Sequence, residues 1–260
     1  MQLLFLFKIF GIPFFSYTTL VITGLLLACG AATWQMRRAG GHTHWGGQGA
    51  VWMAGLGLAL GRLLHLLYNS GYYLEHPDQV LRFADGGMSF VGVFCGASLG
   101  LWLWAQRHGV LFWRAADWIA LPAALLATFA WLGAFMYGSQ YGAAAENWIA
   151  LELRDTFGVI LARWPTQLLA ALWSAALGLV LLRLHHCASP KPDGTQAAVF
   201  WGLYSVGLFI LDLTRGDSTI YILRFRLTQC LYLVLFLVAS FHLGRNLCFH
   251  LTNPQKQTKI

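Results

Sequence analysis

Arg62 and His65 stand three residues apart near the end of an apolar run, in "GRLLHLLYNSGYYLEHPDQVLRFADGGMSFVGVFCG", residues 61–96. At helical spacing that puts both side chains on one face. An ionisable group at the end of a membrane span is costly to bury without compensation, so Arg62 marks a candidate functional site. The neutral imidazole of His65 can accept a proton near pH 7, since its unperturbed pKa of about 6.5 lies close by. A neighbouring Arg62 charge disfavours the imidazolium. Further along, Asp212 and Arg215 are spaced either for an ion pair or for a carboxylate base beside a cation. Tyr17 offers a phenol near the start of the first apolar run, as an interfacial anchor or as a reactive hydroxyl. Gln167 and Gln229 carry amides that can join helices or hold a ligand.

Metal chemistry finds little support. The "HTH" at His42 and His44 and the "HHC" at His185 to Cys187 have no partner at ligand spacing, so no metal is expected. The five cysteines, Cys29, Cys95, Cys187, Cys230 and Cys248, form neither a CxxC pair nor a disulfide framework and read as small apolar residues. No cofactor is expected.

The elements that must position these residues are apolar helices. Of 260 residues, 58% are hydrophobic and 10% charged, where a soluble domain carries about 25% charged. The chain reads as an all-α integral membrane protein, a single polytopic membrane domain over 1–260. Seven segments are long enough to cross the bilayer: roughly 12–36, 49–68, 89–106, 116–137, 166–184, 197–214 and 227–247. Lys8 lies near the start, but no small-residue cleavage site follows, so the first run is read as retained. Many of the twelve tryptophans, such as Trp45, Trp113, Trp118 and Trp164, fall near span ends, at headgroup depth. Gly55, Gly57 and Gly61 flatten one surface of the second span for close approach by a neighbour.

Orientation follows from charge placement. With the N-terminus outside, Arg37, Arg38, Arg107, Arg114, Arg183, Lys191, Arg245, Lys256 and Lys259 face the cytoplasm, nine basic residues against eight. They sit in short loops or just beyond helix ends, where the positive-inside rule has most force. Only Asp117 and Asp193 of the ten acids fall on that side. A basic inner face suits anionic lipid headgroups. The partner expected is therefore the membrane and not nucleic acid.

The 61–96 stretch resembles the prolipoprotein diacylglyceryl transferases, whose second span ends in Gly-Arg and whose third begins Glu-Gly-Gly-Met/Leu-Ser-Phe-His-Gly-Gly. Gly61, Arg62, Tyr73, Pro77, Gly86, Gly87, Ser89, Phe90 and Gly92 match, while Val91 replaces the His and Val93 a Gly. "LARWPTQLLAAL" is similar to the family's Arg-His-Pro-Thr-Gln-x-Tyr-Glu, with Arg163, Pro165, Thr166 and Gln167 matching and Leu169 and Ala170 in place of Tyr and Glu. "YSVGLFILDLTRGD" resembles Tyr-x-x-x-Arg-Phe-x-x-Glu-Phe-x-Arg, through Tyr204, Phe209, Asp212 and Arg215, with Leu208 at the Arg. The fourth-span signature, Gly-Arg-x-Gly-Asn-x-x-Asn-Gly-Glu-x-x-Gly, aligns with "AWLGAFMYGSQYG". There Trp131, Ala134, Tyr137 and Ser139 replace Arg, Asn, Asn and Glu, and Gly133, Gly138 and Gly142 are kept.

The resemblance implies a bacterial cytoplasmic (inner) membrane enzyme with about seven transmembrane helices. Its reaction would pass the diacylglyceryl group of phosphatidylglycerol to a lipobox cysteine thiol of a prolipoprotein signal peptide, releasing glycerol phosphate. An anionic leaving group calls for guanidinium forks, and thiol attack calls for a base or a positive field. On this reading Arg62, Arg163, Arg215, Arg224 and Arg226 would cradle the phosphate of phosphatidylglycerol or another anionic phospholipid. Ser89, Gln167 and Gln229 would complete substrate binding. His65, Tyr17, Tyr204 and Asp212 are the candidate catalytic residues, His65 standing in for the missing family His. The alternative is a diverged relative that holds phospholipid or signal peptide without transfer.

Overall fold

The computed structural model describes residues 5–9, 12–38, 45–82, 87–186 and 192–252. His42, His44, Gly86, Cys187, Ser189, Lys191, Lys256 and Lys259 lie outside the described residues. Two short strands, β1 (Phe5–Ile9) and β2 (Ile12–Phe15), pair antiparallel and lead into α1 (Ser16–Arg38). There follow α2 (Trp45–Tyr68), α3 (Ser70–Glu75), a 3-10 turn (Pro77–Gln79), α4 (Phe90–Arg107) and α5 (Phe112–Tyr137). The hairpin β3 (Leu151–Arg154) and β4 (Ile160–Arg163) precedes α6 (Thr166–His186) and α7 (Thr195–Asp212). A second, smaller hairpin, β5 (Tyr221–Ile222) and β6 (Phe225–Arg226), opens α8 (Leu227–Thr252).

Each of the seven expected spans overlaps one long helix, but the first, expected from residue 12, becomes helical only at Ser16, because residues 12–15 form β2 and pair with β1. Among the described residues six of these are long and apolar enough to cross a membrane: α1, α2, α5, α6, α7 and α8. The helix over the remaining expected span, α4, is interrupted by Gly92, Gly96 and Gly100 and ends in Gln106 and Arg107, which lowers its hydropathy.

The chain divides into two compact units, residues 33–116 and residues 1–32 with 117–260. In the first, α2 and α4 pack backbone to backbone. A Cβ added at Gly96 would fall 2.2 Å from Leu56 O, one at Gly92 2.4 Å from Leu60 O, and one at Gly100 2.5 Å from Trp52 O. Small residues every fourth position are what allow two helices such proximity without a strong hydrophobic drive. Ser89 starts α4: its backbone is extended, its hydroxyl accepts from Gly92 N at 3.4 Å, and its own N–H donates to Gly61 O at 3.0 Å.

The second unit gathers α1, α5, α6, α7 and α8. Gly24 of α1 lies against Phe129 of α5, Gly207 of α7 against the Trp173 indole of α6, and Gly202 of α7 against Ala239 of α8. At one end of this bundle Asp117 of α5 accepts from Gly194 N at 2.7 Å and Ala197 N at 2.8 Å, capping α7 from a neighbouring helix. The His242 ring of α8 reaches Asp193 O there, at 2.9 Å. At the opposite end stand the two hairpins and the 138–142 turn.

Candidate active site

Each unit brings expected site residues together, and each set is built by local backbone chemistry. In the 33–116 unit, α2 ends where Asn69 turns back on it, its Nδ2 donating to His65 O at 2.9 Å. That places Arg62 and His65 in the last turns of the helix. Arg62 is buried, and its guanidinium donates to four carbonyls: Nε to Val80 O at 3.0 Å, Nη1 to Gly87 O at 3.0 Å, Nη2 to Gln79 O at 2.7 Å and to Arg82 O at 3.3 Å. The Tyr73 ring lies 5.4 Å from its charged carbon. Gly87, at φ +76°, is the closure: a Cβ there would lie 2.7 Å from His65 Nε2 and 2.8 Å from Arg62 Nη1. Only glycine both adopts that backbone and leaves the space. Arg62, His65, Tyr73 and Gly87 thus form one cluster, and Arg62 ties the backbone of Gln79, Val80, Arg82 and Gly87 to the end of α2. A phosphate at Arg62, as the sequence leads one to expect, would share the guanidinium with these carbonyls. Ser89, expected at the substrate, is engaged as the α4 cap.

In the other unit, charge concentrates at the hairpin end of the bundle. Arg163, closing β4, is buried. Its Nη2 donates to Asp155 Oδ2 at 2.9 Å, its Nη1 to Gly142 O at 3.4 Å, and its face lies 4.6 Å from the Tyr141 ring. Asp155 spends its other oxygen on the N–H groups of Phe157 and Val159, both at 2.9 Å, and so ties the β3–β4 turn. Gln167, in the first turn of α6, donates to Ser139 O at 2.9 Å. Arg215 meets Asp217 with Nε at 2.9 Å and Nη2 at 2.6 Å, and Asp212 with Nη1 at 2.9 Å. Arg226 joins Asp217 at 3.1 Å and Arg215 O at 2.9 Å. Burial works against the Arg215 charge, but the hydrogen bonds and proximity of Asp217, then Asp212, outweigh it and hold the guanidinium above its usual pKa.

The second oxygen of Asp212 accepts from Thr228 Oγ1, so of the two roles open to Asp212 the ion pair is the one formed. Gln229 accepts from Arg226 N at 2.9 Å, the reach of an N3 glutamine back to a helix N-cap. Arg224 is exposed in the β5–β6 turn at φ +75°. Tyr204, buried within α7, accepts at 3.3 Å from the Trp131 indole of α5. Tyr17 is partly exposed, its ring 6.0 Å from that of Tyr137 and its backbone against Gly133.

Sequence reasoning named Asp212 as a partner of Arg215 but missed Asp155 and Asp217. Three buried guanidiniums, Arg163, Arg215 and Arg226, are matched by Asp155 and the pair Asp212 and Asp217. Two local signals could have found them: "DTFG" at 155–158 reads as an Asx turn, and "RGD" places Asp217 two residues from Arg215. Each of these three guanidiniums, expected to cradle a phosphate, is paired with a carboxylate. Among the described residues there is no group of three metal-ligating side chains.

A family model described as prolipoprotein diacylglyceryl transferase matches residues 4–244. A phosphatidylglycerol–prolipoprotein diacylglyceryl transferase from Bacillus licheniformis is 29% identical over 86% of this chain and 85% of its own. One of the same name from Hydrogenovibrio crunogenus is 28% identical over 70% of this chain and 66% of its own. One from Azoarcus sp. is 35% identical over 62% of this chain and 61% of its own. The chain thus spans just under two thirds of the length of the last two.

Proposed function

Since the chain belongs to the prolipoprotein diacylglyceryl transferase family, we propose that it moves the diacylglyceryl group of phosphatidylglycerol onto the lipobox cysteine thiol of a prolipoprotein. The observation that carries this reading is the family match across 4–244, which takes in both polar clusters. The chain is a multi-pass helical membrane protein, and we place it in the bacterial inner membrane with the N-terminus outside. Labelling of Ala144→Cys from the outer face tests that orientation, and labelling only from the cytoplasmic face contradicts it.

In the proposed step a base takes the thiol proton, the sulfur attacks the glycerol carbon, and the C–O bond to phosphate breaks. The products are the thioether and glycerol phosphate. His65 is assigned the proton, because its Nε2 lies at the Gly87 turn beside the Arg62 guanidinium. That position favours a neutral imidazole and an anionic sulfur. Arg62 acts by positioning the turn. Tyr204 and Tyr17 are kept as candidate hydroxyls, the first with its oxygen oriented by Trp131. A transfer assay with phosphatidylglycerol and a lipobox peptide tests the whole.

A second reading rests on one specific observation. Trp131, Ala134, Ala170 and Leu208, at positions where the family motifs carry Arg, Asn, Glu and Arg, are all buried and uncharged. That favours a member that holds the lipid or the signal peptide without transfer. Lipid bound and no thioether formed would be its signature.

A further inference from the structure

Two buried polar atoms at the hairpin end of the bundle have no hydrogen-bond partner: Nε of Arg163 and Oε1 of Gln167. Arg163 is 7% exposed and Gln167 0%. Native proteins pair the great majority of such atoms, so two within one five-residue stretch call for a cause. For Arg163 the cause is visible. Asp155 gives one oxygen to Nη2 and commits the other to Phe157 N and Val159 N, leaving nothing for Nε. For Gln167 the amide orientation is fixed, since Ser139 O can only accept and must face the NH2 group, which turns Oε1 away. Both residues are tied to the same short stretch, Arg163 through Gly142 O and Gln167 through Ser139 O.

What remains is one donor, on a guanidinium whose charge Asp155 already balances, and one acceptor four residues along the chain, both residues anchored on the 139–142 stretch. A phosphodiester has no proton for Gln167 Oε1 and would meet the Asp155 carboxylate. An ammonium has no acceptor for Arg163 Nε. A hydroxyl both donates and accepts, so hydroxyls on adjacent carbons offer each of the two atoms a partner of the right kind. We propose that Arg163 and Gln167 form a hydroxyl-binding couple that reads the headgroup glycerol of the donor lipid, selecting it by its hydroxyls as well as by its charge. This rests on the transferase reading above for the identity of the lipid. The shared chemistry, a vicinal diol, is also that of free glycerol.

The test uses the full chain in nanodiscs, with dioleoyl phosphatidylglycerol competing against dioleoyl phosphatidylpropanol, which has the same charge and no headgroup hydroxyl. Native mass spectrometry reads bound lipid and a thioether assay reads transfer. Wild type is expected to prefer phosphatidylglycerol by at least about tenfold, the size of one well-made buried hydrogen bond. Gln167→Met and Arg163→Lys are expected to lose that preference while keeping a cooperative thermal transition. Equal occupancy by the two lipids in wild type overturns the couple even if either variant fails to fold. So does a loss of lipid preference accompanied by binding of free glycerol. Equal transfer from both lipids likewise removes the couple and leaves the transferase reading intact. Preference without any transfer keeps the couple and removes the enzyme.

Discussion

The Trp131 indole on α5 donates to the Tyr204 hydroxyl on α7 at 3.3 Å, and both side chains are buried. An arginine at position 131 would bring a charge into this interior. Tryptophan supplies a neutral donor and fills the volume, and Leu208, 2% exposed and one turn further along α7, fills volume without charge. Charge is held instead at the hairpin end, around Arg163, Arg215 and Arg226.

The first prediction follows from that bond. Trp131→Phe removes one donor to the hydroxyl with little loss of volume and should cost about 0.5–1.5 kcal/mol, the net worth of one hydrogen bond, Ser174 remaining as a partner. Tyr204→Phe added to it should cost less than it does alone, giving a coupling of about 0.5–1.5 kcal/mol. Unfolding of the single and double variants in detergent measures this. Strict additivity would show that the two groups do not bond.

Asp155 carries more than its ion pair. Asp155→Ala strips the partner of a buried guanidinium, a loss of roughly 3–5 kcal/mol, and also leaves the N–H groups of Phe157 and Val159 without their acceptor. Arg163→Ala leaves those turn bonds in place. The aspartate variant should therefore be the less stable of the two by denaturant titration, and the reverse order would contradict the described turn.

The α2–α4 contact predicts a contrast between two glycines. Gly96→Ala drives a methyl to within 2.2 Å of Leu56 O and must separate the helices, at a cost of about 1–3 kcal/mol. Gly55→Ala meets nothing within 4 Å and should stay within about 0.5 kcal/mol of wild type. Thermal unfolding of the pair decides it, since equal effects are incompatible with backbone contact at Gly96 alone.

Arg62 is expected to hold a loop. Without its contacts to the carbonyls of Gln79, Val80 and Arg82 the 79–82 segment should open more often, and the bond after Arg82, 59% exposed, is the one that trypsin would find. Arg62→Ala should speed cleavage after Arg82 by at least about tenfold, which needs only about 1.4 kcal/mol of lost local stability. Unchanged cleavage would mean that the segment does not depend on Arg62.

The long helices were legible because membrane spans are read from continuous apolar length, a signal each helix carries by itself. Their ends were legible where a cap or a charge marks them, as Ser89 does at α4 and as Arg37 and Arg38 do at α1. The arginines were legible as unusual residues, and Asp212 as a partner of Arg215, but Asp155 and Asp217 were not. Asp155 reaches Arg163 only because the β3–β4 hairpin folds the chain back, and Trp131 reaches Tyr204 across 73 positions. Ser89 and Gln229, singled out as polar groups beside apolar runs, turn out to occupy helix starts, where the backbone claims the same oxygens that a ligand would use.

The most direct test of the account is transfer itself: purified wild type, phosphatidylglycerol and a lipobox peptide, with thioether formation read by mass spectrometry alongside bound lipid. The account predicts diacylglyceryl-modified peptide from wild type and a loss of at least about a hundredfold in rate for His65→Ala, the scale of a removed general base. Full activity in His65→Ala would take the proton away from His65. Phosphatidylglycerol bound by wild type with no thioether formed would contradict the transferase reading.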